Sequence, residues 1–499
     1  MYVLKHIQLT LSSALMKINI KSLFLTDNNY QLTSWLFLRG VALIYGIAFL
    51  SLAVQITGLA GPNGILPFYQ TLNYAYMDNG WYAWFQIPTV FWLDASDVAL
   101  KMAAYGGVLL AILLFFERWQ FGALIGMYIL YVSLFHAGDL FLNFQWDTLL
   151  METGFLAIFL VRGGPNKLLI FLLHWLLFRF RFMSGFFKLY NGDPSWLDLK
   201  ALDYYFETQV LPHAGSWYFH HLPHWMHTGG VLYVFFAELI VPFFIFLPRP
   251  FRIAAALITI FTQLLIMANS NHNFVNLLVI VLCIFLLDDR IIARLLPERL
   301  RARIQAAKLP KPTRLLKALL GISGVVIFVT SVAVFTSRIA PIHYPDFAKQ
   351  IFTTARRVGI GHIFHVYGIM QVDRQELEIQ GSNDGVNWYP YEFRYKPGPV
   401  NKRPPVNIPH QPRLDWMMWF LPPQRDTFWL RLLLERLQEG SPQVLQLFEY
   451  NPFEDHPPRY LRVVAYEYQF TTPVEKAATG NWWKRRYLGV FPYVKPRWP

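Results

Sequence analysis

KLLIFLLHWLLFRFRFMSGFFKLY, residues 167–190, decides the fold class. It is apolar along nearly all its length, and a helix needs about 20 such residues to cross a bilayer. Its cations Arg179, Arg181 and Lys188 are costly in lipid, so they demand ionic partners or a polar cavity. Similar apolar runs recur at roughly 35–56, 98–116, 121–142, 147–161, 229–247, 252–268, 275–289 and 315–337. The runs at 147–161, 252–268 and 275–289 are short, which fits re-entrant or distorted segments. The reading is a polytopic α-helical membrane protein of about nine spans, occupying residues 35–337.

Composition supports a division into two solvents. The 499 residues include 17 Trp, 26 Tyr and 43 Phe, and only 15% are charged. A soluble chain carries about 25% charge. The deficit lies before residue 337, and residues 338–499 read as an ordinary globular domain. The net charge of +13 does not mark a nucleic-acid binder. Arg290, Arg294, Arg299, Arg301, Arg303, Lys308, Lys311, Arg314 and Lys317 crowd one link between apolar runs, as in a cytoplasmic loop. The link at 60–97 holds Asp78, Asp94 and Asp97 without Lys or Arg, and 191–224 has only Lys200 against four acids. Nine crossings with residues 1–34 as a retained cytoplasmic leader satisfy these signs and put 338–499 outside the cytoplasm. Cys283 is the single cysteine, so no intrachain disulfide forms.

The C-terminal part reads as a β-sandwich with helical insertions. Gly381-Ser382-Asn383-Asp384-Gly385 is a hairpin signal, and Tyr460–Phe470 alternates as a strand. Phe428–Leu437 places Leu430, Leu433, Leu434 and Leu437 on one helical face. Pro397–Pro412 is too proline-rich for helix or central strand and is expected as an extended surface arm.

Residues able to carry chemistry are few. Asp147 and Glu152 open the fourth run, and Glu238 lies in the sixth. With Lys188 and Asp193 they either shape a polar cavity or form ion pairs, such as Asp147 or Glu152 with Arg179 or Arg181, that fix helix packing. NSNHNF, residues 269–274, needs polar partners in a hydrophobic hairpin and is either a vestibule lining or a tight external turn. His213, His220, His221, His224 and His227 have no Cys or acidic partner at ligand spacing, so no metal is expected. No phosphate loop, nucleophile elbow or zinc-protease signature is present, and no cofactor is expected.

RFRFMSGFFKLYNGDPSWLDLKALDYYFETQVLPHAGSWYFHHLP (179–223) resembles the signature of the lipase maturation factor family. The likeness continues in QWDTLLMETGFLAIFL (145–160), NSNHNF, EIQGSNDGVNWYPYEFRYKPGPVNKRPP (378–405), HQPRLDWMMWF (410–420), NPFEDHPPRYLRVVAYEYQF (451–470) and WWKRRYLGVFP (482–492). That resemblance implies a membrane-anchored factor that helps dimeric secreted lipases reach active form. Its setting would be the endoplasmic reticulum membrane or, in a bacterial relative, the cytoplasmic membrane. The C-terminal domain would then be lumenal or periplasmic, and the single cysteine is more like a bacterial relative. More weakly, the membrane part is similar to that of vitamin K-dependent γ-carboxylase, whose catalytic-lysine segment would match Gly185 and Lys188. Phe144-Gln145-Trp146-Asp147 stands where that enzyme has Asn-Asn-His, which argues against carboxylation and quinone chemistry.

Two functional expectations result. In the first, exported clients are held by the external domain, with Trp388, Trp416, Trp419, Trp482 and Trp483 as contact groups. In the second, Lys188 is the general base of a membrane enzyme for a lipidic or quinone-like substrate, with Asp147, Glu152, Asp193 and Asn271 shaping the site. Nothing resembles the inverted repeats of a transporter. Membrane lipids are expected partners, and nucleic acid is not.

Overall fold

The computed structural model describes residues 29–424 and 427–492; most of the expected leader, residues 1–28, lies outside them. Among the described residues, nine apolar helices occupy the nine expected runs. They are α1 Gln31–Ala53, α2 Asp97–Phe115, α3 Gln120–Gly138, α4 Gln145–Gly163, α5 Lys167–Tyr190, α6 His224–Phe244, α7 Arg249–Asn269, α8 Val275–Leu286 and α9 Arg314–Ile339. Seven of these are long and apolar enough to cross a membrane. The other two are α4, which carries Asp147, Glu152 and Arg162, and the short α8.

The bundle has two distinct ends. At one, the Asp289 carboxylate accepts from the backbone N–H groups of Gln31 (2.8 Å), Leu32 (3.0 Å) and Thr33 (2.8 Å), capping α1 from a distant loop. Nearby, Glu117 takes Arg39 (2.9 Å) and Arg303 (2.5 Å), and Arg249 pairs with Asp288. At the other end, every link between helices meets the C-terminal part. Arg436 donates to the Gly64 carbonyl (2.9 Å), Arg413 to Phe141 (3.1 Å), Arg374 to Glu207 (2.9 Å) and Asn271 to Pro405 (2.8 Å).

Beyond α9 the chain turns back. Helix α10, Asp346–Arg357, starts where the Tyr344 hydroxyl meets Thr336 (2.8 Å), and the chain after it reaches the level of Thr330, whose Cβ lies 2.9 Å from a Cβ built on Gly361. Residues 358–370 then climb among the spans before the sheet begins. The chain therefore does not part from the bundle at residue 338.

Six strands follow: β1 Arg374–Ser382, β2 Tyr389–Pro390, β3 Glu392–Phe393, β4 Phe448–Tyr450, β5 Tyr460–Phe470 and β6 Trp483–Val490. Four form an antiparallel sheet in the order β2-β1-β5-β6, with β1 and β5 paired from Arg374↔Tyr468 to Ser382↔Tyr460. The other two form the ribbon β3-β4. The hairpin and β5 stand where expected, with Gly385 at φ 75° in the turn, a conformation only glycine takes without strain. The strands build one four-stranded sheet and a ribbon rather than two sheets of similar size, and helices cover the apolar face. Those helices include α11 Arg413–Met418 and α12 Phe428–Gln438, whose Trp429, Leu430, Leu433 and Leu437 are buried. Trp429 meets Phe141 of the bundle edge-on (centroids 5.7 Å apart), so one apolar core runs through both parts.

The arm of residues 397–412 is irregular, as its prolines require, but the expectation of a surface position is corrected. Gln411 is fully buried and Asn407 nearly so, because the arm lies across the mouth of the bundle, where Ser51, Gln55, Asn271 and Asn273 bond to it.

Candidate functional site

Glu152, Arg179 and Lys188 of the spans converge on residues 358–370. Helix α6 shows how. Pro242 has no N–H for the carbonyl of Glu238, and the helix widens into a π turn over Phe236–Ile240. Gly185 on α5 lets that turn come close: a Cβ there would stand 2.7 Å from Glu238 Cβ. Glu238 thereby reaches Lys188 Nζ (2.8 Å) and Arg181 (3.5 Å), one turn either side of Gly185. The glycine and lysine of the GxxK segment thus have a joint packing role.

Lys188 Nζ also donates to the Val366 carbonyl (2.9 Å) and lies 3.3 Å from both the hydroxyl and the carbonyl of Ser184. Its three protons have acceptors, and only 4% of the residue is exposed. Deeper in the bundle Glu152 pairs with Arg179 and accepts from the Gly361 N–H (2.9 Å), while Arg179 donates to the His362 carbonyl (2.9 Å). Higher up, Asp193 caps a short turn through Ser195 N–H (2.8 Å) and accepts from Met370 N–H (3.0 Å), and Trp196 donates to the Tyr367 carbonyl (2.8 Å). These rungs hold 361–370 along the length of α5.

Asp147 makes a separate clasp. Both its oxygens take Arg413 of α11 at 2.7 Å, and Tyr131 adds a 2.7 Å hydrogen bond. Of the pairings expected from sequence, Glu152 with Arg179 is present, whereas Asp147 pairs with an arginine from the C-terminal part. Sequence reasoning passed over Arg413. It lies outside the apolar runs and 266 residues from Asp147, so no spacing pointed to it.

The arm supplies a third, uncharged attachment. Asn271 accepts from Asn407 N–H (3.1 Å) and donates to Pro405; Asn273 donates to the Gln411 side chain (2.8 Å). Gln55 donates to the Gln411 carbonyl (2.8 Å), and Ser51 meets His410 (2.9 Å). The NSNHNF hairpin is therefore both turn and socket. Burial, with Arg413 and Arg394 nearby, pushes the His410 imidazole down to about 4. His272 and His220 fall to about 4 as well, chiefly by burial.

The five tryptophans divide. Trp416 and Trp483 are 5% and 1% exposed, one against Trp146 (centroids 5.0 Å) and the other stacked on Phe470 (4.2 Å), so they are core groups and not contact groups. Trp388, Trp419 and Trp482 are half-buried; Arg462 covers Trp388 at 4.0 Å and Lys476 covers Trp482 at 3.9 Å. Among the described residues no group of three or more His, Cys, Asp or Glu is arranged to hold a metal. Asp203 instead holds His224 (3.0 Å) and His227 (2.8 Å) in place.

An integral membrane helical bundle, with a β-containing C-terminal part clamped onto it by buried ion pairs, is the class these features define. Comparison with known proteins narrows it. Residues 32–294 match the lipase maturation factor transmembrane domain, and residues 362–492 match the lipase maturation factor C-terminal domain. The chain is 33% identical to lipase maturation factor 2 of Rattus norvegicus, over 91% of this chain and 82% of the relative. It is 32% identical to lipase maturation factor 1 of Mus musculus, over 95% and 88% respectively. No solved structure matches. The chain belongs to the lipase maturation factor family.

Proposed function

We infer that this protein is a membrane-anchored maturation factor for exported lipases, dimeric ones by family resemblance. The relatives' names support the client class, and the match over nearly the whole chain supports carrying it across. Of residues 338–499, expected outside the cytoplasm after nine crossings, the sheet-bearing part from 371 to 492 is read as extracytoplasmic, while 346–370 lie beside and among the spans. In support, links after odd-numbered helices meet the C-terminal part, and the arginine-rich link lies at the opposite end. The membrane is the endoplasmic reticulum in a eukaryote or the cytoplasmic membrane in a bacterium. Of the five tryptophans, the half-buried Trp388, Trp419 and Trp482 remain candidates to meet a client.

The observation that carries this reading over an enzyme is the state of Lys188. A general base must be free to take a proton, and this ammonium is held by Glu238 and Val366. Asp147, Glu152, Asp193 and Asn271 likewise serve as clasps. The test is the activity per secreted molecule of the host's lipases in a strain lacking the gene, complemented with wild type or Lys188→Arg. Arginine keeps the charge but is not deprotonated in proteins, so equal rescue supports a clamp. Loss of rescue by a variant that still reaches the membrane in normal amount would restore the enzyme reading.

A further inference from the structure

Helix α10 has an apolar face that the protein leaves bare at Phe347 and Ile351. Phe347, Ile351, Ala355 and Val358 fall on one side, and Lys349, Thr353 and Arg356 on the other. Phe347 is 69% and Ile351 49% exposed. The helix runs back down α9 from the level of Thr336. With Val326, Ile360 and the polar Gln350 and Thr354, the apolar face lines a groove of about 510 Å³.

Val326 lies near the middle of α9, so the groove sits well below the helix end and opens sideways. On α9 it borders Ile322, Val325 and Val329, which are 64%, 63% and 46% exposed and belong to the lipid-facing stripe of that span. Where α10 nears the 80–82 turn, through Gln350 and the Tyr82 hydroxyl (3.4 Å), Trp81 and Phe85 stand 72% and 75% exposed. Aromatic side chains of this kind gather where membrane meets water. The groove is continuous with the exposed apolar stripe of α9.

We propose that this groove is a lipid site, filled by an acyl chain of a phospholipid from the leaflet nearest the C-terminal part. The chain completes the packing of α10 on α9. Because α10 leads directly into the clasped residues 358–370, the lipid also steadies that clasp. This rests on α9 spanning the membrane, and the experiment separates the two.

The full protein in a Cys283→Ser background carries one nitroxide label at Ile351→Cys, Lys349→Cys or Val325→Cys, in dioleoylphosphatidylcholine vesicles. Accessibility to oxygen and to a water-soluble nickel complex is compared. The expected result is a label at 351 that resembles the one at 325, several-fold more protected from nickel than the label at 349. A label at 351 as nickel-accessible as that at 349, with 325 protected, overturns the lipid site and leaves a protein partner as occupant. Nickel access at 325 as well overturns the spanning reading itself. Phe347→Cys gives an independent reading of the same face should Ile351→Cys not fold. Brominated acyl chains are expected to quench a fluorophore at 347, and no quenching would again exclude an acyl-chain occupant.

Discussion

The C-terminal part is held in two ways that differ in kind. Around α4, α5 and α6 the attachments use charged side chains: Asp147 pairs directly with Arg413, while the interhelical pairs Glu152–Arg179 and Glu238–Lys188 bond to the backbone of Gly361, His362 and Val366. Across the mouth the arm is held by amides and hydroxyls, through Asn271, Asn273, Gln55 and Ser51. A buried ion pair need not stabilise the fold relative to apolar packing, but removing one partner strands a charge. Neutral hydrogen bonds give way one by one, each worth about 0.5–1.5 kcal/mol net. Breaking a charged clasp should therefore cost its whole contribution at once, whereas the arm is a graded fastening over it.

That contrast can be broken most sharply at Arg413. Arg413→Ala leaves Asp147 buried with only Tyr131, and about 3–5 kcal/mol of stability should be lost. Thermal unfolding in nanodiscs and early proteolytic release of the C-terminal part would show it. A change below about 1 kcal/mol would mean that the clasp behaves like an exposed pair. Asn271→Ala removes both hydrogen bonds to the arm and should cost less, about 1–3 kcal/mol. Cleavage within 397–412 should then rise while the sheet stays protected.

The smallest effect is in pH. His410 is held down to about 4, so the folded arm refuses a proton that the unfolded chain accepts near its ordinary value of about 6.5. Its contribution is intact above about pH 6.5 and is lost as pH falls toward 4. His410→Asn should flatten the acid-side slope of arm protection in that window, and an unchanged slope would assign the effect to other groups.

Much of the architecture was legible in the sequence because it depends on local pattern. Apolar run length located nine helices, alternation located Tyr460–Phe470, and helical spacing located the buried face of α12. What escaped depends on partners distant in the chain. Hydropathy told that Asp147 was buried, but its arginine lies 266 residues on, with no spacing to announce it. Proline content told that residues 397–412 were irregular, but irregular backbone is allowed inside wherever its polar groups are met. Trp416 and Trp483 looked like contact groups because aromatic residues serve core and interface alike.

The cap on α1 bears on how the protein is made. The carboxylate that closes the start of the first helix belongs to residue 289, so Leu32 waits for a partner 257 residues later in synthesis. Asp147 waits longer still, until the ribosome has passed Arg413. The helix start and the acid therefore cannot take these partners until Asp289 and Arg413 have been made.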